Sequence, residues 1–279
     1  MKVLSTELKQ IFNSAVNDVS FFFEFKLKNQ TYKYLTSWTK DVFYNGEHYR
    51  SVNGLIPTAF ESRTDATTQD MELELLIDGD VMKLSEIKNG FYDECEVKIF
   101  LASPEQMQHR LYMSSGTLGG YKIKDDISVS FEYKGIFYKL EKSSGDVYKH
   151  SCRANLYDNR CKVSMSSYRL EDSVGTILTT KKFTAASIIS FPDGYYNFGM
   201  LVFETGLNAG AGFSIKSQVG NEIDLLLEPA NPVSVSDQFV IYAGCDKSFN
   251  TCKTKFNNYL NFRGEPFIPG KEALAVYSN

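Results

Sequence analysis

Turn residues interrupt this chain so often that few helices of ordinary length fit between them. From about residue 20 onward, Gly, Asn, Asp and Pro recur roughly every 8–12 residues, and the stretches between them are short and aromatic or β-branched. Strands tolerate that spacing. Met71-Glu72-Leu73-Glu74-Leu75 alternates as a half-buried strand does, and Cys95, Val97 and Ile99 share one face of another. Asn45-Gly46, set between Val42-Phe43-Tyr44 and His48-Tyr49-Arg50, is a hairpin dipeptide. Gly116–Gly120 reads as a turn, and Ile127–Tyr133 and Ile136–Leu140 flank Lys134-Gly135 as a further hairpin. Thr176–Phe183, Gly199–Glu204, Gly212–Lys216, Ile223–Leu227 and Gln238–Ala243 read as later strands. Helical spacing is confined to residues 4–16, where Leu4, Leu8, Ile11, Phe12 and Ala15 stack on one face, and to short pieces at Val81–Ile87 and Thr251–Tyr259. The expected fold is mainly β, with two or more small barrel- or sandwich-like domains, a short N-terminal helix and few other helices. The shift in composition over residues 164–175 predicts domains at 1–163 and 164–279.

Composition narrows the function. A chain of 279 residues with 21 Phe and 17 Tyr buries a sizeable core and is not a solvated coil. A net charge of −4 argues against a chain that lives on nucleic-acid phosphates. The apolar runs are too short to span a bilayer, and the N-terminus lacks the apolar stretch of a signal peptide, which predicts folding in a cytoplasm. In that compartment the five cysteines are not expected to form a disulfide framework.

Four of the cysteines fall into two spaced pairs. Eight residues separate Cys152 from Cys161, and six separate Cys245 from Cys252. Four thiolates suffice for a tetrahedral zinc or for a cubane iron–sulfur cluster. Zinc knuckles use tighter loops, and this spacing suits a larger object whose ligands lie several ångströms apart. Four unrelated buried thiols are the third reading. Cys95 stands outside the pattern and reads as a buried strand residue.

The text around the second pair is more specific. Gly244-Cys245, a short charged loop and Cys252 lead into a run carrying Phe256, Asn258, Asn261, Phe262, Arg263 and Gly264, closed by Pro266, Pro269 and Gly270. This signature, with the spacing of the upstream pair, resembles the phage tail tip (baseplate hub) protein family, which includes lambda-like tail tip proteins and the hub of gene transfer agents. The resemblance is strongest over residues 145–275 and looser over the N-terminal half. It implies a [4Fe-4S] cluster held by Cys152, Cys161, Cys245 and Cys252. It also implies a structural protein of the virion tail tip, assembled in the host cytoplasm as a homotrimer. The distal tail protein ring and the central tip or fibre protein are the implied partners, with the tape measure protein as a further candidate. A cluster on all four cysteines would close a loop of about a hundred residues and clamp the two halves of the chain.

The remaining constellations carry bland readings beside sharper ones. Arg153, Arg160, Lys162 and Lys253 flank the cysteines, as counter-charges or as solvated loop charges. Asn258, Asn261 and Arg263 are expected to cap turns and tie the C-terminal run to the core, with Pro266 and Pro269 stiffening it. His48 belongs to the surface, and His150 is a neighbour of the cysteine site more than a ligand. Asp125-Asp126 and Glu171-Asp172 could serve a glycan hydrolase, but turn and loop solvation is the better account of them. No nucleophile elbow, Walker loop or dinucleotide fingerprint is present. The expected protein is therefore not an enzyme. Its alternatives are a zinc-stabilised binding module and, behind that, a cell-wall hydrolase.

Overall fold

The computed structural model describes residues 6–13, 18–52, 55–57, 70–77, 79–136, 138 and 145–268. Two compact units divide the chain at Ser143/Ser144. The compositional shift points to 163/164; the division by packing falls about twenty residues earlier because the segment before the barrel is bonded to the segment after it, Tyr157 to Ala243 and Arg153 to Glu265. Both cysteine pairs consequently lie in the second unit, so a group held by all four would staple that unit and not two halves of the chain.

The first unit opens with α1 (Thr6–Phe12), within the expected 4–16; Leu4 and Ala15 lie outside the described residues. Nine strands follow: β1 (Ser20–Lys26), β2 (Tyr32–Thr36), β3 (Val42–Tyr44), β4 (Glu47–Ser51), β5 (Ile56–Pro57), β6 (Asp70–Leu76), β7 (Glu96–Ala102), β8 (Leu111–Lys124) and β9 (Ser128–Gly135). They form one sheet in the order β3-β4-β2-β1-β7-β8-β9-β6-β5, antiparallel except for β2 beside β4. A short helix, α2 (Leu84–Lys88), stands between β6 and β7. Asn45 and Gly46 join β3 to β4 with φ of 52° and 85°, the paired left-handed residues of a type I′ turn.

Phe21-Phe22-Phe23 breaks the usual alternation because β1 is an inner strand covered on both faces. Phe23 and Phe25 enter the main core with Leu73, Leu75, Ile99 and Phe131, while Phe22 enters a second cluster with Tyr49, Phe100 and Met107. Phe22 stacks on Phe100 at 5.5 Å and meets the Tyr49 ring edge-on at 5.4 Å. Gly116–Gly120 is no turn but the middle of β8. A side chain at Gly116 would sit 2.2 Å from the Lys134 carbonyl, and the ladder to β9 slips between Leu118 and Tyr121. These glycines allow close strand approach at a bulge, a role that a sequence pattern does not distinguish from a turn. The partner strand expected at Ile136–Leu140 lies largely outside the described residues.

The second unit is a closed barrel of β10 (Arg169–Thr179), β11 (Lys182–Ala185), β12 (Met200–Phe203), β13 (Gly212–Val219), β14 (Glu222–Leu225) and β15 (Gln238–Tyr242). Its order is β10-β11-β14-β13-β12-β15. The expected strand Thr176–Phe183 is the hairpin of β10 and β11. Phe183, Phe203 and Phe239, each at most 1% exposed, fill the interior with Ile223, Leu225 and Leu201. β10 and β15 close the barrel in antiparallel register from Arg169 opposite Tyr242 to Ser173 opposite Gln238. One short helix, α3 (Phe249–Thr254), follows the last strand. No helix among the described residues is long and apolar enough to cross a membrane.

Phe22→Ala is expected to cost about 3–5 kcal/mol, the usual range for removing a buried phenylalanine. Urea denaturation would show it as an earlier unfolding transition of the first unit; a loss below about 1 kcal/mol would contradict the two-faced packing of β1.

A cysteine-lined cavity at the barrel ends

The closure of the barrel brings the two cysteine loops together. The chain enters at Arg169 and leaves at Tyr242, which are paired neighbours, and the Ala243 N–H continues that ladder to the Tyr168 carbonyl. The loop before β10 carries Cys152 and Cys161, and the loop after β15 carries Cys245 and Cys252.

Local chemistry shapes each loop. Asp158 organises the first: its carboxylate accepts from the N–H groups of Asn155 (2.8 Å), Arg160 (2.9 Å) and Cys161 (2.6 Å), and these bonds, the Cys161 one foremost, hold its carboxyl below the usual range. Tyr157 Oη donates to the Ala243 carbonyl at 2.8 Å and ties this loop to the end of β15. In the second loop, Ser248 caps α3 by accepting from the Thr251 N–H at 3.1 Å, which sets Cys252 on the buried side of the helix.

Lys247 and Asn258 join the two loops. The Lys247 carbonyl accepts from the Cys152 N–H at 2.9 Å. Asn258 Nδ2 donates to the Cys161 carbonyl at 2.6 Å, and its carbonyl lies 3.3 Å from Cys252 Sγ. Asn261 Nδ2 donates to Asn258 Oδ1 at 2.7 Å. Further on, the Arg153 N–H reaches the Arg263 carbonyl, and Arg153 grips Glu265 through two bonds of 2.6 and 2.7 Å. Gly264 passes so close to Ser151 that a β-carbon would lie 2.7 Å from its carbonyl oxygen.

The result is a small cavity of about 20 Å³. All four cysteines line it, together with Ala154, Leu156, Val163, Lys247, Ser248, Phe256, Asn258 and Asn261. Three sulfurs face N–H donors: Lys247 N to Cys245 Sγ and Arg263 N to Cys152 Sγ at 3.4 Å, and Asn258 Nδ2 to Cys161 Sγ at 3.7 Å. Burial first, then the neighbouring Cys245, Cys152 and Cys161, pushes the Cys252 thiol up to about 11, and burial raises Cys245 as well. The other three sulfurs thus oppose the ionisation of Cys252. Among the described residues, no three His, Cys, Asp or Glu side chains form a group that could hold a single metal ion.

The other candidates are placed elsewhere or given structural work. Cys95, 1% exposed just before β7, is pushed up to about 12 by burial. His150 is exposed and faces the Pro266 carbonyl. His48 is on the surface, bonded to Asp41 and stacked on Phe43. Asp125 and Asp126 form the β8–β9 turn with positive φ, Glu171 pairs with Arg169, and Asp172 accepts from the Ser187 N–H. Of the flanking cations, Arg153 serves Glu265, Arg160 serves Asp146, and Lys162 and Lys253 are exposed. Asn258, Asn261 and Arg263 do tie the C-terminal run down, Arg263 through its main chain. Pro269 and Gly270 lie outside the described residues. Sequence reasoning passed over Tyr157, Asp158 and Lys247, whose roles depend on a partner chosen by the fold.

Asn258→Asp preserves shape but turns the donor facing the Cys161 carbonyl into an acceptor; a loss of about 1–3 kcal/mol is expected in denaturant unfolding of the second unit. With no metal bound, the raised Cys252 pKa contributes stability that is full below the ordinary value of 9.0 and lost as pH rises through about 11. Melting temperature against pH should therefore fall less steeply across that window in Cys252→Ala than in the unsubstituted chain.

A family model described as "Baseplate hub protein, N-terminal attachment domain" matches residues 5–164, which includes Cys152 and Cys161. A second, described as "Phage conserved hypothetical protein BR0599", matches residues 194–272, which includes Cys245 and Cys252. A chain from the solved "Virion of native gene transfer agent (GTA) particle" shares the fold, with a TM-score of 0.84 and 24% identity over 99% of this chain and 96% of that one. No curated protein matches. With more than half its length matched, the chain belongs to the baseplate hub protein family and is a structural, non-enzymatic protein of a virion tail.

Proposed function

We propose that this chain is a tail tip hub whose second unit is stapled by a [4Fe-4S] cluster on Cys152, Cys161, Cys245 and Cys252. One observation carries the cluster reading: four thiols from two distant loops line a single cavity whose walls are otherwise mostly apolar or amide. A soft, all-sulfur donor set suits iron–sulfur or zinc, not a hard cation. The spacing within each cysteine pair, looser than the tight loops of zinc knuckles, favours an object several ångströms across over a lone zinc. The N–H groups facing three of the sulfurs are the kind of contact that stabilises cluster thiolates. Bound there, the cluster would supply a cross-link and a one-electron site. Four cysteine ligands leave no iron open to substrate, which accords with a structural role.

The assembly role follows from the family. The first unit carries most of the match to an attachment domain, and we assign it the contact with the distal tail ring. The central tip or fibre protein is the proposed partner at the other end, the tape measure protein a further candidate, and three copies around the tail axis the proposed stoichiometry.

Anaerobically purified protein is expected to be brown, absorbing broadly near about 400 nm, with about four irons and four sulfides per chain. One zinc per chain in a colourless sample would replace the cluster by a zinc staple. Cys161→Ser and Cys252→Ser should lower the melting temperature of the second unit and block tail assembly. Unchanged melting and unchanged particle titre in both would sink the staple.

A further inference from the structure

Two lysines of the second unit, Lys247 and Lys255, are partly buried near the sulfurs without a carboxylate partner among the described residues, whereas Lys162 and Lys253 beside the cysteines are exposed. Arg153, Arg160, Arg169, Lys182 and Lys216 each lie within 4 Å of a carboxylate. Lys247 and Lys255 make no such pair among the described residues. Lys247 lines the sulfur cavity, and its Nζ donates to the Ala154 carbonyl at 2.5 Å. Lys255 Nζ donates to the Gly244 carbonyl at 2.7 Å and to the Tyr195 carbonyl, and lies 4.2 Å from the centre of the Tyr195 ring and 5.2 Å from that of Phe256. Gly244 is the residue before Cys245, and Phe256 is part of the cavity wall. Burial draws Lys255 down to about 8, with the Cys245 and Asp246 charges opposing that fall.

The nearest acids act on the two lysines only at a distance, Asp158 on Lys247 and Asp246 on Lys255, while each carboxylate is hydrogen-bonded to main-chain N–H groups. Partly buried ammonium groups held only by carbonyl dipoles are costly unless an anion stands close by. Here the groups that become anionic on binding a metal are the four cysteines. We propose that Lys247 and Lys255 are the built-in counter-charge of this sulfur site: positioning residues that stabilise a thiolate-bound anionic group and raise its electron affinity. The inference rests on the cluster reading above. Reduction adds an electron to an already negative site, so each nearby cation shifts the potential upward.

The test uses the full chain purified anaerobically, as wild type, Lys255→Met, Lys255→Arg and Lys247→Met. Midpoint potential is read by spectroelectrochemistry, cluster retention by iron release to a chelator, and melting temperature on loaded and iron-stripped protein. Both methionine variants are expected to show a lowered potential and about 10-fold weaker iron retention, the smaller end of losses from changes just outside a metal's ligands. Lys255→Arg should stay near wild type. Should Lys255→Met fail to fold, Lys247→Met decides. Unchanged potential and retention, with the same melting loss in loaded and stripped protein, would overturn the proposal and leave the lysines as main-chain ties. Iron and sulfide analysis of the wild type separates this failure from that of the cluster: a wild type with neither overturns the cluster reading first and this inference with it.

Discussion

The ladder between β10 and β15 is the contact on which the second unit depends. Closing a barrel requires its first and last strands to pair, and here the pairing puts Arg169 beside Tyr242. Everything the chain carries just before and just after the barrel is then held at one place. Four cysteines separated by up to a hundred positions in the sequence become neighbours without any direct attraction between thiols. Tyr157, bonding back to Ala243, and Lys247, bonding to Cys152 and Ala154, convert that proximity into a fixed arrangement.

That arrangement is held under local conformational cost. Tyr157, Lys162, Lys247 and Asn257 all have left-handed φ, between 47° and 69°, although none is glycine. Such residues persist where the surroundings over-determine them. At Lys247 the surroundings are explicit, because its N–H faces Cys245 Sγ, its carbonyl receives the Cys152 N–H and its ammonium meets the Ala154 carbonyl. One residue thus carries two links between the loops and a third within its own.

What the sequence disclosed and what it concealed divide along physical lines. Short strands announced themselves because alternation and turn chemistry are local properties, as at Asn45-Gly46 and Met71–Leu75. The cysteine set was readable because thiols are few and their spacing is distinctive. Gly116–Gly120 misled because glycine serves a turn and a tight strand crossing alike, and only the Lys134 carbonyl across the ladder decides between them. The break between units by packing lies earlier than the composition shift because residues such as Arg153 and Tyr157 are bonded to Glu265 and Ala243, contacts that local composition does not show. Lys255 was invisible for a related reason: a lysine three positions after a cysteine reads as an exposed loop charge until the fold lays it under Tyr195 and against Gly244.

The adjacency of Arg169 and Tyr242 also divides the barrel into two unlike rims. A barrel whose two ends are neighbours is a cassette: it is attached to the rest of the chain at a single edge. Residues 204–211, which link β12 to β13, join the strands at Phe203 and Gly212, away from the Tyr242 edge. That opposite rim is held on its own terms, through the buried Asn208 bonded to Asn231 and Gly206 packed against Asp237. The fold thereby keeps all four cysteines at the one edge where the chain enters and leaves the barrel, and shares none of their surroundings with the far rim.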